Sequence, residues 1–213
     1  QLSFLDLKTG QYKKCAEKPE IILLPSLNER KKEVKSNAGA SLIDMGDGVA
    51  CLEFHTFMNA IGQEIIEMIH ESLKIVAKDF VGMVIGNHAE RFSVGANLLM
   101  LVGEIAKSNW AGIEAAIRAF QDAMMAMKYF EKPIVAAPHG MALGGGCEAC
   151  LSSHRIVAAL ESYMGQVEIG VVFLPGAAGN KEVYLRCIEG IPDGVSVDLL
   201  PFLRKAFENI AMA

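Results

Sequence analysis

Two glycine-broken turns and two glutamates are the residues of this sequence whose types and spacing could do chemistry. The first turn covers residues 92–97, and the second contains Gly144-Gly145-Gly146 between an apolar segment and a predicted helix. Successive glycines let a backbone approach a ligand closely, and N–H groups at a helix start bear partial positive charge. Such a turn suits an anion or a developing oxyanion. The alternative is tight packing between two elements.

The two glutamates are Glu148 and Glu168. Glu148 falls in the first turn of the predicted helix, where the alternative role is a carboxylate that complements the helix dipole. Glu168 lies within an apolar stretch that contains Val167, Ile169, Val171 and Val172. A carboxylate in such a stretch is costly to bury without a partner or a function. Both glutamates are therefore candidates for a functional site.

Several common motifs are absent from the sequence. It contains no G-x-S-x-G elbow, no G-x-x-x-x-G-K-[ST] phosphate loop, no H-E-x-x-H and no G-x-G-x-x-G after a strand. Cys147 and Cys150 form a C-x-x-C without a second pair or a histidine at zinc-finger spacing, so we predict buried cysteines and no metal. The odd count of five cysteines predicts reduced thiols and a cytoplasmic protein.

Composition and charge narrow the function classes further. The 213 residues are 52% hydrophobic and 21% charged, which excludes general disorder, and the net charge of −5 argues against a generic nucleic-acid binder. The longest uncharged run, residues 133–147, is too short to span a bilayer. Asp6 and Lys8 interrupt the first apolar stretch, so we predict no signal peptide and no membrane span.

The elements that must position the glycines and glutamates follow from hydrophobic periodicity. Helices alternate with short strands, which is typical of the α/β class. The predicted helices cover 62–79, 110–130, 144–151, 180–187 and 200–212. The predicted strands cover 41–45, 49–54, 81–85, 134–137, 155–159 and 163–168. Residues 139–147 are predicted to be a glycine-rich turn, and one apolar stripe along the second helix comprises Ile113, Ile117, Phe120, Met124 and Met127.

The chain divides into residues 1–38, predicted to be a linker or the tail of an upstream region, and a compact domain over 39–213. A short hairpin is predicted between Phe4 and Tyr12. The basic cluster Arg30-Lys31-Lys32 with Lys35 predicts a solvated linker, and the alternative is a phosphate-contacting patch. The sequence begins with Gln rather than Met, which indicates a processed product or a piece of a longer polypeptide.

Four blocks, in this order and spacing, resemble the enoyl-CoA hydratase/isomerase (crotonase) superfamily over about residues 39–190. They are His55-Thr-Phe-Met-Asn-Ala60, Phe92-Ser-Val-Gly-Ala-Asn97, Gly140-Met-Ala-Leu-Gly-Gly-Gly-Cys-Glu148, and Tyr163 to Gly170 continuing through Pro175-Gly-Ala-Ala-Gly179. The resemblance implies an α/β, crotonase-like (ClpP/crotonase) spiral of ββα units. The tail is similar to the join in fused 3-hydroxyacyl-CoA dehydrogenases that have a C-terminal crotonase domain.

The resemblance also implies roles for individual residues. The N–H groups of Ala96 and Gly145 would form an oxyanion hole for the thioester carbonyl, within turns that contain Gly95 and Gly144. Glu148 and Glu168 would act as a pair across one water. The remaining implied site residues are Gly176, whose N–H would help to place that water, and Phe57, Ala60 and Asn97 along the substrate path. Asn97 replaces the acidic residue common there, and Ala178 replaces a common glycine.

The implied activity is hydration of a trans-2-enoyl-CoA in fatty-acid β-oxidation. The alternatives are double-bond isomerisation, for which one carboxylate suffices, and a non-catalytic acyl-CoA-binding module. No cofactor is expected, because the coenzyme A thioester is the substrate and NAD would belong only to an upstream dehydrogenase. A homotrimer and a covalent fusion to that dehydrogenase are the expected assemblies. Family domains continue through several more helices, so we expect the domain to be incomplete after Ala213.

Overall fold

The computed structural model describes residues 3–14, 21–29 and 32–212. The strands are β1 Ser3–Asp6, β2 Gln11–Lys14, β3 Glu33–Ser36, β4 Ala40–Gly46, β5 Val49–Phe54, β6 Gly82–Ile85, β7 Ile134–Ala136, β8 Met141–Leu143, β9 Arg155–Ile156 and β10 Tyr163–Gly165. The helices are α1 Leu24–Glu29, α2 Gln63–Asp79, α3 Leu98–Ala106, α4 Trp110–Lys128, α5 Gly145–Leu151, α6 Gly179–Ile188 and α7 Leu200–Ala211. Helices alternate with strands from β5 onward, which agrees with the predicted α/β class.

A six-stranded sheet in the order β3-β4-β5-β6-β7-β9 forms the centre of the fold. β3, β4 and β5 pair antiparallel, while β5, β6, β7 and β9 pair parallel. Parallel neighbours require a crossover between them. α2 supplies the first crossover, α3 and α4 the second, and the third contains β8 and α5. The loops after β6 and β7 therefore leave the sheet at the same edge.

A second, two-stranded sheet positions the glycine run. β8 pairs with β10 in parallel, with Leu143 opposite Gly165. The glycine-rich turn predicted over 139–147 is thus wrong in part, because Met141–Leu143 is extended and hydrogen-bonded. The strands predicted over 155–159 and 163–168 are shorter in the structure, where they cover Arg155–Ile156 and Tyr163–Gly165.

The apolar stripe of α4 is buried only in its C-terminal half. Phe120, Met124 and Met127 belong to the core cluster that also receives α2 and the sheet. Ile117, one turn earlier, is 39% exposed, and Ile113 is half-buried. Periodicity predicts which face of a helix is apolar. How far along the helix that face is buried depends on the elements packed against it.

Part of the segment predicted to be a linker contacts the sheet. β3 pairs with β4, and Leu24 of α1 is buried against Ile43 and Cys51. Lys32 donates from Nζ to Asp44 Oδ2 at 2.8 Å. Arg30 and Lys31 of the predicted basic cluster lie outside the described residues. The predicted hairpin between Phe4 and Tyr12 is confirmed as β1 and β2.

Among the described residues, no helix has the length and apolarity needed to cross a membrane.

One lysine closes the C-terminal end of α2. Lys132 Nζ donates to the carbonyls of Val76 at 3.0 Å, Ala77 at 2.6 Å and Phe80 at 2.6 Å. The last carbonyls of a helix have no partner within it and bear partial negative charge, so a cation there satisfies both needs.

We expect Lys132→Met to lower the free energy of unfolding by about 1–3 kcal/mol, because half-buried helix carbonyls lose a charged donor. Urea denaturation of the wild type and the variant measures this change. The matched control is Lys74→Met on the same helix, whose ammonium pairs with Glu71 at the surface. That control should change stability by less than about 0.5 kcal/mol. Equal losses in both variants would contradict the role of Lys132.

Candidate active site

The two glycine-broken turns contact each other through their backbones. Gly95 has a φ of +94°, and a Cβ at this position would lie 2.8 Å from the carbonyl oxygen of Leu143 and 2.9 Å from the nitrogen of Gly145. Real Cβ atoms do not approach so closely, so only glycine permits this contact. Leu143 N also donates to the carbonyl of Ser93 at 2.9 Å, which joins β8 to the first turn.

Two backbone amides, those of Ala96 and Gly145, lie at this contact. A Cβ on Gly145 would be 3.3 Å from Ala96 N, so the two residues are immediate neighbours. Gly145 is the first residue of α5. Within the described part of the chain, neither amide donates to an acceptor. The structure therefore brings together two of the residues predicted for the site, each with an N–H available to a ligand.

Glu148 is 1% exposed and sits in the first turn of α5. Its Oε1 accepts three backbone hydrogen bonds, from Ala177 N at 3.0 Å, Ala178 N at 3.0 Å and Gly179 N at 2.7 Å. Burial raises the pKa of the Glu148 carboxyl above its usual range, while the three amides act in the opposite direction. Glu148 is thus a buried carboxyl whose ionised form has a prepared set of donors.

Those three donors were not predicted from the sequence, which pointed to Gly176 instead. The carbonyl of Gly176 accepts from Gln121 Nε2 of α4 at 2.7 Å, and Gly176 directly precedes the donors. The sequence does indicate unpaired amides here, because Pro175-Gly-Ala-Ala-Gly179 leads into α6 and the first amides of a helix have no partner within it. That signal does not say which acceptor the amides will meet.

Glu168 has a different environment. It begins a short 3-10 helix just after β10 and is half-buried. Its Oε2 is buried and has no hydrogen-bond partner among the described residues, while a Cβ on Gly144 would lie 2.9 Å from its Oε1. Burial, followed by the neighbouring charge of Glu148, raises the pKa of Glu168 to about 7. At neutral pH this carboxyl is therefore present in both its protonated and ionised forms.

The segment predicted to line the substrate path runs beside the first turn. Ile61 N donates to the carbonyl of Gly95 at 2.7 Å, and Asn97 N donates back to the carbonyl of Ile61 at 3.1 Å. Ala60 is half-buried next to this pairing, and Phe57 is 88% exposed. The Asn97 side chain accepts from Met100 N at 3.3 Å and caps α3. Ala60 and Asn97 thus adjoin the first turn, while Phe57 is exposed to solvent.

The two cysteines of the C-x-x-C are buried beside Glu148. Burial raises the pKa of the Cys147 thiol to about 11 and raises the pKa of Cys150 as well. In residues 3–14, 21–29 and 32–212, no group of three or more His, Cys, Asp or Glu side chains could hold a metal ion. Both thiols are therefore protonated packing groups at neutral pH.

Together the groups form a site with two free amides, one carboxyl supported in its ionised form and one that readily holds a proton. Free amides can stabilise negative charge that develops on an oxygen atom. A carboxyl with a pKa near the working pH can give or take a proton. Such a site can polarise a carbonyl group and move protons at the adjacent carbons.

Comparison with known proteins places these residues in a family. The family model for enoyl-CoA hydratase/isomerase matches residues 44–188. A probable 3-hydroxyacyl-CoA dehydrogenase of Bacillus subtilis is 48% identical over 204 residues, which cover 96% of this chain and 25% of that protein. A probable enoyl-CoA hydratase of the same organism is 32% identical over 138 residues, covering 63% of this chain and 52% of that protein.

The chain spans about a quarter or less of the longer relatives. For a putative fatty acid oxidation complex trifunctional enzyme of Rickettsia felis, 33% identity over 153 residues covers 72% of this chain and 21% of that protein. Two of these relatives have names that refer to dehydrogenase or multifunctional proteins, in agreement with the resemblance of the N-terminal tail.

Solved structures confirm the predicted crotonase-like fold. The crystal structure of an enoyl-CoA hydratase from Bacillus anthracis superposes with a TM-score of 0.66 at 23% identity, over 82% of this chain and 63% of that one. A hydratase from Polaromonas gives a TM-score of 0.68 at 20% identity, over 80% of this chain and 62% of that one. With the family model matching more than half of its length, the chain belongs to the enoyl-CoA hydratase/isomerase (crotonase) family.

Proposed function

We propose that this chain is an enoyl-CoA hydratase domain that adds water across the double bond of a trans-2-enoyl-CoA. The observation that supports this most directly is the contrast between two glutamates at one turn. Glu148 has amide donors for its ionised form, and Glu168 has a buried oxygen without a partner among the described residues and a pKa of about 7. Hydration needs a base for the water and an acid for the Cα carbon, which matches this contrast.

The amides of Ala96 and Gly145 receive the thioester carbonyl oxygen in this proposal. As hydroxide adds to Cβ, negative charge moves through Cα to that oxygen, and two fixed N–H groups stabilise it. Loss of one such donor typically costs on the order of a hundred- to a thousandfold in rate. The contact that Gly95 permits places the two donors side by side.

The two carboxylates divide the proton transfers. Ionised Glu148 accepts one proton from water while the water oxygen bonds to Cβ, and protonated Glu168 delivers its proton to Cα. After the reaction Glu148 is protonated and Glu168 is ionised, so a proton must return to Glu168 before the next turnover. Gly176 belongs to the segment that presents the donors to Glu148, and we assign it a role in placing the water.

The relatives' names suggest the setting of this reaction. The product of hydration is a 3-hydroxyacyl-CoA, the class of substrate that the dehydrogenase named among the relatives oxidises. We therefore place the chain in a fatty-acid β-oxidation protein in which NAD serves the dehydrogenase only. We assign Phe57, Ala60 and Asn97 to the path of the coenzyme A portion past the first turn.

We expect Glu148→Gln and Glu168→Gln each to lower the kcat for hydration of a short trans-2-enoyl-CoA by about a hundred- to ten-thousandfold, because each removes one proton transfer. Loss of the conjugated thioester absorbance, followed in the intact natural protein, measures the rate. Glu67→Gln on the exposed face of α2 is the matched control and should leave kcat unchanged.

Two results would contradict the proposal. If both variants hydrate at the wild-type rate, the two-carboxylate mechanism is wrong. The proposal is also wrong if the wild type mainly isomerises the double bond of a 3-enoyl-CoA and Glu148→Gln leaves that isomerisation intact. In that case Glu168 alone serves an isomerase reaction.

The pH dependence follows from the acid role of Glu168. Its protonated form is lost as the pH rises through about 7, so kcat/KM should fall on the alkaline side with a limb near that pH. Measuring kcat/KM from about pH 5 to about pH 10 brackets this limb. The limb should be absent in Glu168→Gln, whose residual activity has no proton to lose at this position. An unchanged alkaline limb in that variant would assign it to another group.

Gly95→Ala should separate the two turns, since the new methyl group would collide with backbone atoms of Leu143 and Gly145 at a strained φ. We expect kcat for hydration to fall by about a hundredfold, comparable to the loss of one oxyanion donor. The control is Gly190→Ala, where an added methyl group meets no atom within 4 Å. A folded Gly95→Ala protein with wild-type kcat would contradict the placement of the oxyanion hole.

A further inference from the structure

The amides that hold Glu148 belong to a segment that is itself held by α4. Gly176 accepts from Gln121 Nε2 of α4, and one turn into α6 the Glu182 Oε2 accepts from Lys128 Nζ at 2.7 Å. Glu182 N donates to the carbonyl of Ala178 at 2.9 Å, so Glu182 is coupled by one helical bond to a donor residue. Two side chains of α4 thus bracket the three donors.

Glu182 is an unusual residue for its position, because it is 1% exposed. Burial by itself raises the pKa of this carboxyl, but the ammonium groups of Lys128 and Lys181 outweigh burial and lower the pKa, so Glu182 is ionised at neutral pH. Glu182 is buried while Lys128 is partly exposed, and Lys181 Nζ lies 3.1 Å from Glu182 Oε1 as a second cation. Desolvation of the carboxylate offsets much of the attraction in such a group. The bond from Lys128 to Glu182 joins the C-terminal part of α4 to the first turn of α6.

We infer that Lys128 and Glu182 are positioning residues for Glu148, acting through the start of α6. Their bond sets where the amides of Ala177, Ala178 and Gly179 lie, and these amides set the proton affinity of the Glu148 carboxyl. Neither residue needs to touch the substrate. Only the expected loss of hydration rate rests on the proposed function. The expected change in the pKa of Glu148 does not, because it occurs without substrate.

The direction of the pKa change at Glu148 distinguishes positioning from a through-space effect. If Lys128 and Glu182 acted on Glu148 through space, removing the cation would raise the pKa of Glu148 and removing the anion would lower it. If the pair were only structural, the pKa of Glu148 would not move. Loss of alignment predicts a rise in both variants, because weaker amide bonds favour the ionised form less. The other titratable groups near Glu148 and α6 are not substituted in any variant: Cys147, Glu168, Lys181 and Arg186. Of these, Lys181 loses its ion-pair partner in Glu182→Met, and its freed positive charge would by itself lower the pKa of Glu148.

The experiment is a ¹³C NMR titration of the intact protein with labelled glutamate, in which the Glu148 signal is assigned by its loss in Glu148→Gln. The variants are Lys128→Met and Glu182→Met, with Lys128→Arg as the conservative replacement that can still donate to Glu182. We expect the Glu148 titration to move to higher pH in both methionine variants and to stay near the wild type in Lys128→Arg. Opposite shifts in the two methionine variants, or no shift in either, would overturn the inference.

Hydration kinetics on the same proteins separate this inference from the proposed function. We expect kcat to fall on the order of ten- to a hundredfold in both methionine variants, with KM changed less than about twofold, as misplacement of a catalytic group predicts. The inference would also be overturned if kcat and KM both fell while the pKa of Glu148 stayed at its wild-type value. If the titration shifts as expected in a protein that does not hydrate enoyl-CoA at all, the proposed function is wrong while the positioning role stands.

Discussion

The burial of one carboxylate, Glu148, is the constraint on which the rest of the site depends. An ionised group removed from water needs compensation, and three converging backbone amides supply it on one oxygen. Amides converge in this way where a helix begins, and α6 begins at Gly179, the last of the three donors.

The two glutamates show how one small region can hold similar side chains in different hydrogen-bonding surroundings. Glu148 is the more deeply buried, yet its oxygen is met by donors, whereas Glu168 is only half-buried and its inner oxygen meets none among the described residues. Burial opposes charge in both, and the hydrogen bonds decide the difference between them. The neighbouring Cys147 thiol adds no charge to this region, because burial and the charges of Glu148 and Glu168 raise its pKa further.

The sequence was most informative where the signal is local. The spacing of apolar residues predicted α2 and α4, and the glycine runs predicted where backbones approach closely. β8 was missed because a three-residue strand is defined by its partner β10, which lies far along the chain. The donors at 177–179 were missed for a related reason, since an unpaired amide is visible in the sequence but its acceptor is not. The extent to which α4 is buried likewise depends on neighbours.

The short edge strand β3 affects how the domain can be joined to other polypeptides. It covers the hydrogen-bonding edge of β4, and its exposed Glu33 and Lys35 lie at an irregular register. A bare sheet edge is a template for pairing with another chain, and short charged strands are a common protection. A fusion point placed after Ser36 would separate β3 from the domain and leave the hydrogen-bonding edge of β4 unpaired. A unit that is transferred between proteins with this edge protected must therefore begin before Glu33.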